Sequence, residues 1–172
     1  MAEDLKSDMP VFERDYKPVA YALTEVSGNR HRRMRDVCDV MWRFFKDYGV
    51  SWVGFYEKDP DADQMILGPS RDKPACSPIE LHGACGMSWE KKRPILVHDV
   101  QSLGEHYIAC DPRDRSEVVI PLFNDDGSCY GVLDIDSFDR NAFGEHDVVE
   151  LWKLMESTAL SWPAPHRPAL IY

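Results

Sequence analysis

Ser116-Glu117-Val118-Val119-Ile120-Pro121-Leu122-Phe123-Asn124-Asp125-Asp126-Gly127-Ser128-Cys129-Tyr130-Gly131-Val132-Leu133-Asp134-Ile135-Asp136-Ser137 is the stretch whose reading decides the fold. Asp126-Gly127 between two apolar runs signals a β-hairpin closed by a two-residue loop. With Asp125 opposite Ser128, cross-strand partners carry numbers that sum to about 253. Glu117 then faces Asp136, Val119 faces Asp134 and Pro121 faces Val132. Side chains alternate across a strand, so Glu117, Asp134 and Asp136 share one face, while Val118, Ile120, Leu122, Leu133 and Ile135 line the other and can meet a core. Like charges directly opposite one another destabilise a sheet pair by up to roughly 1 kcal/mol, so this arrangement calls for a cationic partner. A solvated hairpin face is the plain alternative, and a slipped register would scatter the carboxylates.

Just ahead of the hairpin stands Cys110, in Tyr107-Ile108-Ala109-Cys110-Asp111, a candidate nucleophile beside the carboxylate face. The chain holds five cysteines, Cys38, Cys76, Cys85, Cys110 and Cys129. An odd number without a signal peptide argues against a secreted disulfide framework, so the thiols are expected reduced at rest and any disulfide to be a working one. No Cys-x-x-Cys pair exists, and the gap from Cys76 to Cys85 is too wide for a zinc knuckle, so no metal is expected. Cys38 falls on an apolar helical stripe and reads as a small buried hydrophobe. Cys129 beside the turn reads as incidental. Cys85 lies between Gly83 and Gly86, ahead of a short helix expected over Met87 to Lys91, whose backbone N–H groups would favour a thiolate.

Working outward, 172 residues make one ordinary domain. It is read as a polar N-terminal segment over 1–15, a single domain over 16–161 and a Pro-rich tail over 162–172. A net charge of −10 and a pI near 5.0 argue against nucleic acid and anionic membranes as partners. Arg30-His31-Arg32-Arg33 reads as the solvated opening of a helix. Met1 to Asp8 lacks an apolar targeting core, and no apolar stretch reaches membrane-spanning length, so a cytoplasmic protein is expected. Met34, Val37, Cys38, Met41, Trp42, Phe45 and Tyr48 recur at helical spacing, with Gly49 as the stop, and Val148, Leu151, Trp152, Met155 and Ala159 form a second stripe. Val50 to Tyr56 alternates as a strand, with Trp52, Gly54 and Tyr56 on one face. Two aromatics flanking a glycine can wall a small-molecule pocket, with Gly54 leaving room for it, although aromatic strand residues are more often simple core.

Seven motifs then carry a resemblance: Ser51-Trp52-Val53-Gly54-Phe55-Tyr56, Leu67-Gly68-Pro69, Lys73-Pro74-Ala75-Cys76, Ala84-Cys85-Gly86, Ile108-Ala109-Cys110-Asp111, Ser116 to Leu122 and Gly131 to Ser137. In this order, across about Tyr16 to Leu160, they resemble the GAF-domain free methionine-(R)-sulfoxide reductases. The resemblance implies an α+β fold, with an antiparallel sheet that carries helices on one face and a ligand pocket on the other, in a homodimer. It also implies reduction of free methionine (R)-sulfoxide at the expense of protein thiols, with no bound cofactor and with thioredoxin, or dithiothreitol in vitro, restoring them. Cys110 matches the catalytic cysteine, and Cys76 and Cys85 match the resolving thiols. Trp52, Tyr56, Glu117, Asp134 and Asp136 match substrate-pocket positions. The sequence departs from the pattern twice: the run ending His82-Gly83-Ala84-Cys85 is one residue short, and Asp114 stands where a small polar residue is usual. The shortening leaves both Cys85 and Cys76 open as the partner of Cys110.

The chemistry fits the hairpin independently. A thiolate attacking a sulfoxide sulfur must release the oxygen as water, so an acid is needed beside that oxygen. Crowded carboxylates supply one, because a raised pKa keeps at least one protonated while another stays ionised to hold the substrate ammonium. Glu117 or Asp136 is assigned to the oxygen, with Asp134 among the groups that hold the ammonium. A sulfenic acid on Cys110, captured as a disulfide, completes the half-cycle. The rival reading is a GAF small-molecule or redox sensor that binds without turnover; no output domain is read after the last helix, which counts against it.

Overall fold

The computed structural model describes residues 12–172, so the reading of Met1 to Asp8 lies outside the described residues. The chain runs α1 (Lys17–Ala22), α2 (Arg30–Phe45), β1 (Trp52–Lys58), β2 (Gln64–Arg71), β3 (Ile79–Glu80), α3 (Ala84–Lys91), β4 (Ile95–Val97), a 3-10 segment (Val100–His106), β5 (Ser116–Phe123), β6 (Cys129–Ser137), α4 (Glu145–Ser157) and β7 (Leu170–Ile171). Among the described residues the strands form one sheet in the order β3-β2-β1-β6-β5-β4-β7. Neighbours are antiparallel except β4 and β7, which run parallel.

β5 and β6 pair in the register read from the sequence, with Glu117 opposite Asp136, Val119 opposite Asp134 and Pro121 opposite Val132. The turn itself differs. Phe123 pairs with Cys129, and the Asn124 N–H donates to the Ser128 carbonyl at 2.8 Å, leaving Asp125, Asp126 and Gly127 as the loop. Gly127 takes φ +82°, the left-handed conformation glycine adopts without steric cost. The extra loop residue is cancelled by a bulge between Leu122 and Phe123, so the strands beyond it pair as a two-residue loop would have them.

Val118, Ile120, Leu122, Leu133 and Ile135 enter one core with Val53 and Phe55, covered by α2 and α4. α2 starts at Asn29, whose side chain accepts the Arg32 N–H at 2.9 Å. Its buried stripe runs from Met34 to Phe45, while Tyr48, past the helix end, is 52% exposed. Ala159, expected on the α4 stripe, likewise lies beyond the helix and is exposed. The opposite sheet face carries Trp52, Tyr56, Val119 and Val132, and α3 packs there through Ala84, Cys85 and Met87. The architecture is therefore α+β, with α1, α2 and α4 on one face and the pocket on the other beside the short α3.

Both outer boundaries of the expected domain need correction. Arg14, expected in the polar segment, is 4% exposed. Its guanidinium donates to Asp147 Oδ1 at 3.1 Å and to the Ala142 carbonyl at 2.9 Å, and stacks 4.5 Å from the centre of the Phe143 ring. Asp147 also accepts from the Tyr16 hydroxyl at 2.6 Å and from the Gly144 N–H at 2.9 Å, so this carboxylate ties the chain start to the first turn of α4. At the other end, the tail over 162–172 finishes as β7 on the outer edge of β4. Proline breaks the α4 helix but does not prevent a short extended segment from taking the free backbone groups of an edge strand.

Arg14→Ala leaves the Asp147 carboxylate buried without its cation and is expected to lower the unfolding free energy by about 3–5 kcal/mol. The check is the urea midpoint at unchanged slope; a loss within roughly 0.5 kcal/mol, as at an ordinary surface position, refutes the role.

Candidate active site

Behind the pocket face lies a hollow of about 550 Å³, its open mouth included, lined among others by Trp52, Tyr56, Cys85, Cys110, Asp114, Glu117, Asp134 and Asp136. Strand alternation places the hairpin carboxylates there, and α3 brings Cys85. The 3-10 segment and the loop after it add Val100, Leu103, His106, Tyr107 and Ile108. Ile108 packs directly on Gly83, where an added Cβ would sit 2.6 Å from its side chain, so the loop that carries Cys110 rests on the start of α3.

Cys76 and Cys110 are joined in a disulfide, with their Cα atoms 5.5 Å apart. Of the two partners the sequence left open for Cys110, the structure pairs Cys76, while Cys85 is a free and buried thiol. The pairing follows from how the loop of Cys76 is held. The Tyr56 hydroxyl donates to the Cys76 carbonyl at 2.8 Å, and the Trp52 Nε1–H donates to the Lys73 carbonyl at 3.0 Å. Lys73 Nζ reaches Asp111 Oδ2 at 3.1 Å, linking the same loop to the residue after Cys110. Arg113 grips Asp111 with two further bonds, at 3.0 and 2.9 Å, which holds that carboxyl well below the usual range. The room expected beside Gly54 is taken by the Trp52 indole, which lies 2.3 Å from where a Gly54 Cβ would be. Trp52 can thus lie flat along its own strand.

The carboxylates are perturbed together. Burial raises Glu117, Asp134 and Asp136, and the negative charge of their neighbours raises Asp134 and Asp136 further. Asp134 is 5% exposed and its Oδ1 has no hydrogen-bond partner. Burial also pushes the Cys85 thiol up, with the Asp134 charge adding to it, so the thiolate expected there at a helix start is overturned. Desolvation outweighs the helix N–H groups because Cys85, although in the first turn of α3, is buried and faces anions. Cys110, by contrast, lies exposed at the surface.

Sequence reasoning left Asp114 out of the site. It faces the hollow, accepts from the Ser51 hydroxyl at 3.3 Å, and is pushed up to about 6 by burial and by the charges of Asp111 and Glu117. The signal was present as an unusual acid four residues after Cys110, but only folding shows that it turns inward. Cys38 donates to the Pro69 carbonyl at 3.4 Å, and Cys129 donates to the Gly131 carbonyl at 3.3 Å; neither lines the hollow.

The GAF domain family matches residues 29–161. The chain is 30% identical to GAF domain-containing protein A of Dictyostelium discoideum over 161 residues, covering 91% of this chain and 100% of that protein. It is 35% identical to the free methionine-R-sulfoxide reductase of Saccharomyces cerevisiae over 125 residues, covering 70% of this chain and 69% of the relative. The X-ray structure of free methionine-R-sulfoxide reductase from Neisseria meningitidis in complex with its substrate superposes with a TM-score of 0.73 at 30% identity, covering 87% of this chain and 93% of that one.

A carboxyl whose pKa is raised on folding holds its proton longer in the folded state. Its stabilising contribution is present at low pH and is lost as the pH rises through the folded value. Asp114→Asn, which can keep the Ser51 bond, is therefore expected to raise the melting temperature above pH 6 and to change it little near pH 4. Calorimetry at both pH values checks this, and a gain confined to the acid side overturns the assignment.

Proposed function

The chain belongs to the GAF-domain family and, within it, to the free methionine-R-sulfoxide reductases; we propose that it reduces free L-methionine (R)-sulfoxide to methionine with Cys110 as nucleophile and Cys76 as the thiol that resolves it. The observation that carries this reading is the Cys76–Cys110 disulfide at a hollow walled by the buried Asp134 and the half-buried Glu117 and Asp136, all with raised pKa values.

The cycle starts with both cysteines reduced. The Cys110 sulfur attacks the sulfoxide sulfur while Glu117 or Asp136, kept protonated by burial, gives a proton to the sulfoxide oxygen. Oxygen passes to Cys110 as a sulfenic acid, methionine leaves, and the substrate sulfur gains the two electrons that Cys110 loses. The Cys76 thiol then attacks the sulfenic sulfur, water departs and the disulfide forms. An external dithiol of the thioredoxin type, or dithiothreitol, returns two electrons and two protons and is itself oxidised to a disulfide.

Selectivity for the free amino acid rests on Asp134. Its unpartnered oxygen suits an α-ammonium, which a methionine within a polypeptide lacks. Trp52 and Tyr56 serve mainly by holding the Cys76 loop, and homodimeric assembly and a cytoplasmic setting belong to the same proposal.

Purified protein with dithiothreitol is expected to convert the free R epimer, and not the S epimer, to methionine followed by chromatography. Cys110→Ser should abolish this. Cys76→Ser should still release about one methionine per chain before dithiothreitol acts, because the first half-step needs only Cys110. Glu117→Gln should slow turnover by roughly 10²–10⁴-fold if Glu117 is the proton donor. Binding of the sulfoxide without loss of thiols, or turnover that survives Cys110→Ser, would sink the reductase reading in favour of a sensor.

A further inference from the structure

Cys85, Glu117 and Asp134 come from α3, β5 and β6, yet one donor atom of each, a sulfur and two carboxylate oxygens, lies within 4.8 Å of the others. The reductase reading gives Cys85 no disulfide partner, since Cys110 is bonded to Cys76, and leaves its thiol hydrogen-bonded to Asp134. A second observation points to a missing ligand: Asp134 is more than nine-tenths buried and faces the hollow, and its Oδ1 has no partner. Three groups that can each carry a negative charge thus meet in a corner buried at Cys85 and Asp134, half-buried at Glu117 and open toward the hollow.

We infer that Cys85 Sγ, Glu117 and Asp134 form a binding site for a thiophilic divalent cation of the zinc class, with the remaining coordination position open to the pocket. Thiolate selects zinc and cadmium over magnesium and calcium, and the carboxylates complete a mixed sulfur–oxygen set. Tetrahedral zinc places such donors about 3.3–3.7 Å apart, from bond lengths of about 2.3 Å to sulfur and 2.0–2.2 Å to oxygen. Closing from 4.8 Å or less asks for side-chain rotations of about an ångström, not backbone movement. Two positive charges set against three ionised groups also favour the deprotonated forms that burial disfavours. Binding displaces those protons, including that of the Cys85 thiol. The spacing 85, 117, 134 resembles no zinc knuckle, which is why cysteine spacing gave no sign of it. Because Cys85 takes no part in the disulfide, the site exists in both redox states. The cation occupies the place assigned above to the substrate ammonium, so it acts as an inhibitor; that half of the inference rests on the proposed function.

The test uses the full chain in its disulfide form, titrated with Cd²⁺ and followed by thiolate-to-cadmium charge-transfer absorption, with Mg²⁺ as the hard-cation control. One equivalent is expected to bind, Mg²⁺ should give no competition, and Cys129→Ser should behave as wild type. Cys85→Ser should lose the absorption. Because that variant removes a buried group, Asp134→Asn, which keeps the thiol and the side-chain shape, should bind at least tenfold more weakly. Absence of the band in wild type, its survival in Cys85→Ser, or unchanged affinity in Asp134→Asn overturns the site. Free L-methionine at high concentration should displace the cation. Tight binding that methionine leaves untouched upholds the cation site and overturns its inhibitory role and the ammonium assignment of Asp134, while R-specific turnover is scored separately.

Discussion

Glu117 and Asp136 face each other across β5 and β6, and much of the site depends on that repulsive pairing being held in place. Directly opposed like charges cost up to roughly 1 kcal/mol even on a wet sheet face, and burial adds to this. The pairing persists because the other face of the same hairpin is anchored. Val118, Ile120, Leu122, Leu133 and Ile135 are 0–2% exposed against α2 and α4. Each such side chain contributes about 1.5–3 kcal/mol on burial, far more than the carboxylates cost. A slip by one residue would exchange the two faces and expose the apolar set, so the core enforces the register that crowds the acids.

Burial, with that crowding added to it at Asp134 and Asp136, raises the carboxyl pKa values of the pocket. Trp52, Tyr56, Ile79 and α3 shield the carboxyls from water, and Asp134 and Asp136 keep their protons to higher pH than an isolated aspartate does. The fold thus stores a local instability which a cationic group can relieve. A substrate ammonium and a thiophilic metal ion are two ways of supplying that charge, and both would meet the same unpartnered Asp134 oxygen.

The disulfide side of the hollow is organised separately. Trp52 and Tyr56 each donate a hydrogen bond to a backbone carbonyl of the Cys76 loop, and Lys73 spans to Asp111. Aromatics that looked like plain pocket wall therefore act through the backbone, fixing where the Cys76 sulfur meets Cys110. Arg113 and Lys73 also lie over the Phe138 ring, 4.5 and 4.6 Å from its centre, so the loop after Cys110 is clamped from outside as well.

Whatever depends on short-range periodicity could be read from the chain alone. The hairpin register, the carboxylate face, the α2 stripe up to Phe45 and the alternation of β1 each follow from rules that span a few residues, and the order of motifs carried the family. Tertiary structure decided the rest, because it depends on contacts between segments far apart in sequence. Folding alone showed that Arg14 belongs to the core through Asp147, that residues 170–171 close the sheet edge, and that Asp114 turns inward. The choice between Cys76 and Cys85 was of the same kind. Loop length cannot say which sulfur arrives at Cys110, since that is set by bonds from β1 to the Cys76 loop and by the burial of Cys85 among anions. Sequence patterns describe which face a residue is on; only the packed chain sets which groups lose water together, and that loss gives the pocket its chemistry.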